Sequence, residues 1–261
     1  MSKWLVLVLL FAQYCEVRSY KPVVIIHGIL DTAESLNDLK SMIEKAHPGT
    51  NVTVIKLYPE IQSLSTPMWV QVNGVSKVLK EIMAKSKDGV HLIGFSQVPS
   101  LLAKFLPSVT KEYLYLFLYK KGFQDHLTIA NYWNDPKHTK EYLAGNIFLP
   151  LVNNNNNSKF ADKQKYRLQK ENFSKLKNIT VISGPQDGVI IPWQSALFGF
   201  YDASLNIVPM EKQKAYTEDW FGLGTLAKRK AIHTFMFENI THTSWHGSEV
   251  VFNKAIKQWL T

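Results

Sequence analysis

The 261-residue chain has a single cysteine, Cys15, and it stands in an N-terminal segment that reads as removable. A mature chain without it forms no disulfide, which excludes the small scaffolds held together by cystines. Long apolar runs are missing as well. The apolar stretch Trp4 to Ala12 is too short to cross a bilayer, so no transmembrane span is expected. No linker divides the chain. The formal charge is +9, but the lysines are spread from Lys40 to Lys257, and their densest cluster, Lys159 to Lys170, lacks the interleaved aromatics of a base-stacking platform. The charge therefore reads as a solvated surface with weak attraction for acidic partners, and nucleic acid is not an expected ligand.

What is present begins with that N-terminus. Lys3, the apolar Trp4 to Ala12 and the polar exit Gln13 to Ser19 have the three-part pattern of a secretory signal peptide, residues 1–19, cleaved around Cys15 to Tyr20. The glycosylation pattern N-x-S/T occurs at Asn51, Asn156, Asn172, Asn178 and Asn239, and five such sites in one chain agree with a secretory route. The remaining 20–261, with 46% hydrophobic residues over the whole chain, suffice for one sizeable core and one domain.

Strands and helices alternate along it. Val23 to His27 is a β-branched run, Ser35 to Ala46 repeats apolar residues at helical spacing (Leu36, Leu39, Ile43, Ala46), and Val52 to Leu57 is a second strand. Met68 to Ala84 is a helix with Val72, Val75, Leu79 and Ile82 on one face, and it leads into a strand, Val90 to Phe95, that reads as buried. The segment Leu101 to Tyr142 is aromatic-rich and helical in pieces, and Asn153 to Asn157 reads as an exposed loop. Two further strands, Asn178 to Ser183 and Ala231 to Phe237, precede a closing amphipathic helix, Glu249 to Leu260, whose apolar positions are Val250, Val251, Ala255, Ile256 and Trp259. This alternation predicts a mostly parallel sheet with helices on both faces.

Chemistry-bearing residues fall at strand ends, where open sheets of this class bind their ligands. Ser96, Asp187 and His242 follow three of the strands, in the chain order Ser, Asp, His that α/β-hydrolases use. In that arrangement His242 takes a proton from Ser96 and Asp187 holds the imidazole in the required tautomer. The turn after His27-Gly28 offers a backbone N–H at Ile29, and the residue after the serine offers another at Gln97; together they form a two-donor oxyanion hole. Each residue also has an ordinary reading. A strand-end serine is common, Asp187 before Gly188 is normal turn chemistry, and His242 competes with His246 and with His233, the latter a residue within a strand. No metal or other cofactor is expected.

Five stretches carry a resemblance: "HGILDTAESLNDLKSMIEKAHPGTNVTVIKLYPE", "VHLIGFSQ", "NYWNDPKHTKEYL", "GPQDGVIIPWQSALFGFYDA" and "ITHTSWH". They resemble the palmitoyl-protein thioesterases, particularly the lysosomal branch, from Val23 to Leu260. The resemblance implies an α/β-hydrolase of the lysosome that cleaves fatty acyl thioesters, whether acyl-CoA or S-acylated protein, with Ser96 as nucleophile, Asp187 as acid, His242 as base, and Ile29 and Gln97 as oxyanion donors. A monomer is the default expectation.

One departure stands out. In the nucleophile-elbow pattern G-x-S-x-G, the last glycine is replaced here by Val98, followed by Pro99. The residues that follow, from Leu102 on, resemble a part of the family sequence further downstream. Thus Val98 reads as a junction, with one helix and one strand, about 30 residues, missing after Gln97. That helix would anchor the strained serine turn, and that strand would lie inside the sheet. Three functional readings follow from these observations: an acyl thioesterase, a catalytically impaired glycoprotein that binds acyl chains, and a general lipase or esterase.

Overall fold

The computed structural model describes residues 20–96 and 113–261. The signal peptide, Gln97, the junction at Val98 and Pro99, and the first part of the aromatic-rich segment, residues 101–112, lie outside the described residues.

The first half is organised by β1 (Val23–Ile26), whose four β-branched residues suit a strand covered on both faces; Val23, Val24 and Ile25 are fully buried. It pairs in parallel with β2 (Val52–Val54) on one side and with β3 (His91–Gly94) on the other. Helix α1 (Asn37–Ala46), entered through a short 3-10 turn, lays Leu36, Leu39 and Ile43 against Val23, Ile25 and Val52. The C-terminal helical segment at 249–259 adds Phe252 to the same layer, with Leu260 just beyond it. Its first turn is capped by Ser248, whose Oγ accepts the Val251 N–H. Val250, expected in the core, points to solvent instead, because Val251, Phe252 and Ala255 take the buried face.

Helix α2 (Met68–Ala84) occupies the span its periodicity predicts, but only Met68 and Gln71 are buried. Its N-terminal turn is pinned: Met68 N–H donates to Asn131 Oδ1, and Trp69 Nε1–H donates to the carbonyl of Ile147. The apolar stripe beyond is incompletely covered, with Val72 37% exposed. A cavity of about 230 Å³ lies along it, lined by Val72, Val75 and Leu79 from the helix and by Ile26, His27 and Leu57. β3 shows the same shortfall. It is not the buried strand its sequence suggests, for Leu92 is 53% exposed, and among the described residues it pairs only with β1.

The second half carries β4 (Ile179–Ser183), a two-residue antiparallel ribbon of β5 (Phe200–Tyr201) and β6 (Ile207–Val208), and β7 (Ile232–Met236), which runs parallel to β4. The ribbon was not foreseen; its turn is made by Asp202, whose Oδ1 accepts the N–H groups of Ser204 and Asn206. Among the described residues no hydrogen-bonded ladder joins β3 to β4.

Between them, short helices at 115–152 form a lobe around Leu114, Leu118 and Ala130. Buried amides hold it together. Gln124 Nε2 donates to the carbonyls of Leu118 and Ala130, and Asn146 Nδ2 to those of Asn131 and Trp133. Asn154, read as part of an exposed loop, is 2% exposed because its amide donates to the carbonyls of Tyr166 and Trp220.

Candidate active site

Ser96 sits two residues beyond β3 with φ 59°, a left-handed conformation uncommon for a residue with a side chain. Such strain is tolerated where the surroundings over-determine it, and it turns Oγ out of the strand. The turn after β1 comes right up to the serine. A Cβ placed on Gly28 would lie 2.5 Å from Ser96 Cβ and 3.0 Å from Oγ. Glycine is thus required for this approach. His27 holds the turn in place, with Nε2 2.9 Å from the carbonyl oxygen of Leu57, three residues beyond β2, and Nδ1 2.9 Å from that of Gly28. Among the described residues the Ile29 N–H has no acceptor, whereas the next N–H, of Leu30, donates to Ser63 Oγ at 2.7 Å. Ile29 is therefore one of the donors in this turn left without a partner among the described residues. We expect Gly28→Ala to push the turn off Ser96 by about 1 Å and to lower kcat by on the order of 100-fold, measured with a circular dichroism spectrum to show that the fold persists.

His242 arrives from the loop after β7. Its Nε2 lies 2.6 Å from Ser96 Oγ, and its Nδ1 lies 3.0 Å from each carboxylate oxygen of Asp187. The main chain reinforces the side-chain contact, since His242 N–H donates to the carbonyl oxygen of Asp187 at 3.0 Å. Asp187 ends a turn after β4, and its Oδ1 also accepts the N–H groups of Val189 and Ile190 at 3.0 and 2.8 Å. Its Oδ2 accepts the indole N–H of Trp245 at 2.7 Å.

Burial pushes the Asp187 carboxyl up, but the hydrogen bond and charge of His242 and the N–H groups of Ile190 and Trp245 outweigh it, and the net shift is downward. The sign follows directly. A carboxyl lowered in the folded state contributes stability above its ordinary range, and that contribution is lost as pH falls through the lowered value. The anion opposite His242 therefore persists into acid solution.

The other two histidines stand elsewhere. His233, on β7, places Nε2 3.1 Å from Asn178 Oδ1 and its ring 4.1 Å from that of Trp259. His246 sits edge-on to Phe95 at 4.9 Å, while the other contact of that Phe95 ring is with His242 at 5.4 Å. Gln97 lies outside the described residues. No group of three or more His, Cys, Asp or Glu side chains suited to a metal occurs among the described residues. What the residue patterns did not disclose is Trp245 and the close approach of Gly28. The three-residue spacing from His242 to Trp245 was a usable signal.

A mostly parallel sheet flanked by helices, with Ser, Asp and His following its strands in that order, makes this chain an α/β-hydrolase. Comparison of the sequence with known families is more particular. The palmitoyl protein thioesterase family matches residues 22–102 and again 98–242, and the chain belongs to that family. The two matched stretches overlap at residues 98–102, where the elbow pattern fails. Human lysosomal thioesterase PPT2 is 36% identical over 290 aligned residues, covering 99% of this chain and 94% of that one. The Bos taurus PPT2 is 37% identical over 276 residues, covering 93% and 88%. A Drosophila melanogaster homolog of PPT2 is 29% identical over 273 residues, covering 93% and 92%. The alignment with the human protein is longer than the 261 residues of this chain, so that relative carries residues with no counterpart here.

Proposed function

We propose that this chain hydrolyses fatty acyl thioesters through Ser96, His242 and Asp187. Ser96 Oγ attacks the thioester carbonyl as His242 Nε2 accepts its proton, and the resulting oxyanion is received by the N–H groups of Ile29 and Gln97. Collapse breaks the C–S bond and leaves an acyl-serine; the thiolate takes the proton from His242 as it departs. Water then attacks the acyl-serine, giving its proton to His242, and the fatty acid leaves with Ser96 restored. No cofactor enters any step. The observation that carries this reading is the continuous path from Ser96 Oγ through His242 to Asp187, at 2.6 and 3.0 Å.

The substrate is an acyl-CoA or an S-acylated protein or peptide, and the compartment is the lysosome, reached by the secretory route after residues 1–19 are removed to leave the domain 20–261. Exposure of all five sequon asparagines, Asn51, Asn156, Asn172, Asn178 and Asn239, supports glycosylation. Among the described residues no helix is long and apolar enough to cross a membrane.

A second reading, a catalytically impaired acyl-binding glycoprotein, is favoured by one observation, the exposed Leu92 on a strand expected to be central. The test uses the secreted or lysosomal protein, an acyl-CoA, and an oxygen ester of the same acyl group. Hydrolysis faster on the thioester, by a protein that lacks residues 1–19 and loses mass on glycosidase treatment, is expected. Equal or faster oxygen-ester cleavage would favour a general esterase. An unglycosylated chain retaining its N-terminus would refute the secretory route.

A further inference from the structure

We infer that Trp245 is a positioning residue for the reaction, holding the Asp187 carboxylate so that His242 is aimed at Ser96. The inference rests on the assignment of Ser96, His242 and Asp187 given above.

The contact is direct and shielded: the indole N–H donates to Asp187 Oδ2 at 2.7 Å, and the Asp187 side chain is 1% exposed. Its geometric importance comes from the way His242 binds. Nδ1 is 3.0 Å from both carboxylate oxygens, so this one N–H is shared and does not by itself select an orientation for the carboxylate plane. Orientation must come from the other donors. The Val189 and Ile190 N–H groups hold Oδ1, and among the described residues only Trp245, besides His242, holds Oδ2. Without the indole, Oδ2 is left buried with half of a bifurcated bond, and rotation of the carboxylate about its Oδ1 anchor is unopposed.

The chain places both groups economically. His242 to Ser244 form one 3-10 turn, with Trp245 next, so imidazole and indole reach the same carboxylate from adjacent turns of one loop. Room for the indole depends on Gly184, where a Cβ would lie 3.2 Å from the tip of the Trp245 ring and 1.9 Å from the carbonyl oxygen of Phe237. A neutral donor at Oδ2 favours the carboxylate anion. Removing it makes protonation of the Asp187–His242 pair easier. His242 is the one titratable side chain bonded to Asp187 among the described residues. The nearest further titratable ring, His246, lies across Phe95.

The test compares the full chain with Trp245→Phe, which keeps ring bulk and deletes the donor. We expect kcat to fall roughly tenfold with KM nearly unchanged, and the acid limb of kcat/KM to move to higher pH, a shift that a merely space-filling tryptophan would not produce. A second readout needs no turnover, and its first half needs no variant. In the unsubstituted protein, the Trp245 indole proton should be slow to exchange and should shift in the NMR spectrum on Asp187→Asn. An acid limb and kcat unchanged in Trp245→Phe, or an indole proton in rapid exchange, would overturn the positioning role. A chain with no thioesterase activity but a protected, Asp187-sensitive indole proton would instead refute the proposed function and leave the contact standing.

Discussion

Ser96→Ala and His242→Ala should each lower thioester hydrolysis by at least about 10³-fold, while His246→Ala should cost less than about tenfold. The asymmetry follows from geometry. Ser96 Oγ has an acceptor for its proton at 2.6 Å in His242 Nε2, and His242 Nδ1 in turn faces a buried carboxylate. A hydroxyl deprived of that base remains a weak nucleophile at neutral or acidic pH. An imidazole deprived of that hydroxyl has nothing to activate but water. Members of such a set act as a unit, so the double variant should be scarcely worse than either single one. His246 touches the edge of Phe95 and reaches the site only through that ring. The measurement is initial rates on an acyl-CoA, with melting curves to show that all three proteins are folded. Loss of activity in His246→Ala with activity retained in His242→Ala would reverse the assignment of the base.

The second large effect concerns the segment expected after Gln97. Inserting into this chain, after Gln97, a segment of about 30 residues that supplies the helix and strand expected there should raise both solubility and melting temperature. Three incompletely covered side chains illustrate the scale: Val72 and Leu79 line the cavity beside α2, and Leu92 lies on the exposed face of β3. Covering them is worth about 1.5–3 kcal/mol each, on the order of 5 kcal/mol together. That is comparable with the whole net stability of a domain, about 5–15 kcal/mol. At about 2–4 °C per kcal/mol for a domain of this size, the melting temperature should rise by about 10–20 °C. Among the described residues one edge of β3 is unpaired, and such an edge invites association between chains, so the original protein should aggregate on concentration while the longer version stays dispersed. Turnover should increase as well, by at least about tenfold, because a firmly seated β3 holds Ser96 within the tolerance that attack requires. Equal melting, equal solubility and equal activity in the two proteins would mean that β3 needs no further neighbour.

Much of the frame was legible along the chain because it depends on short-range periodicity. The run Val23 to Ile26 could bury both faces only as a strand in the middle of a sheet, and the stripe Leu36, Leu39, Ile43 could meet that strand only as a helix. Burial was less legible. The apolar faces of α2 and β3 are correctly patterned, yet Val72 and Leu92 on them are exposed, since a pattern states what a face can cover and says nothing about what packs on it. Val250 and Asn154 fail the same way in opposite directions. Neighbouring residues of the same helix displace Val250, and two carbonyls distant in sequence capture Asn154.

The sequence by itself determined the order of Ser96, Asp187 and His242, their places after strands, the family, and the break at Val98. These are properties of residue type and spacing. The tertiary structure decided which histidine meets the serine, that Asp187 is held by four donor groups including Trp245, and that Gly28 must be bare for the β1 turn to reach Ser96. Those depend on distances of 2.5–3.0 Å between residues up to 146 positions apart. Distances of that kind are set only when parallel strands bring their ends to one edge of the sheet, and no local pattern of residues encodes them.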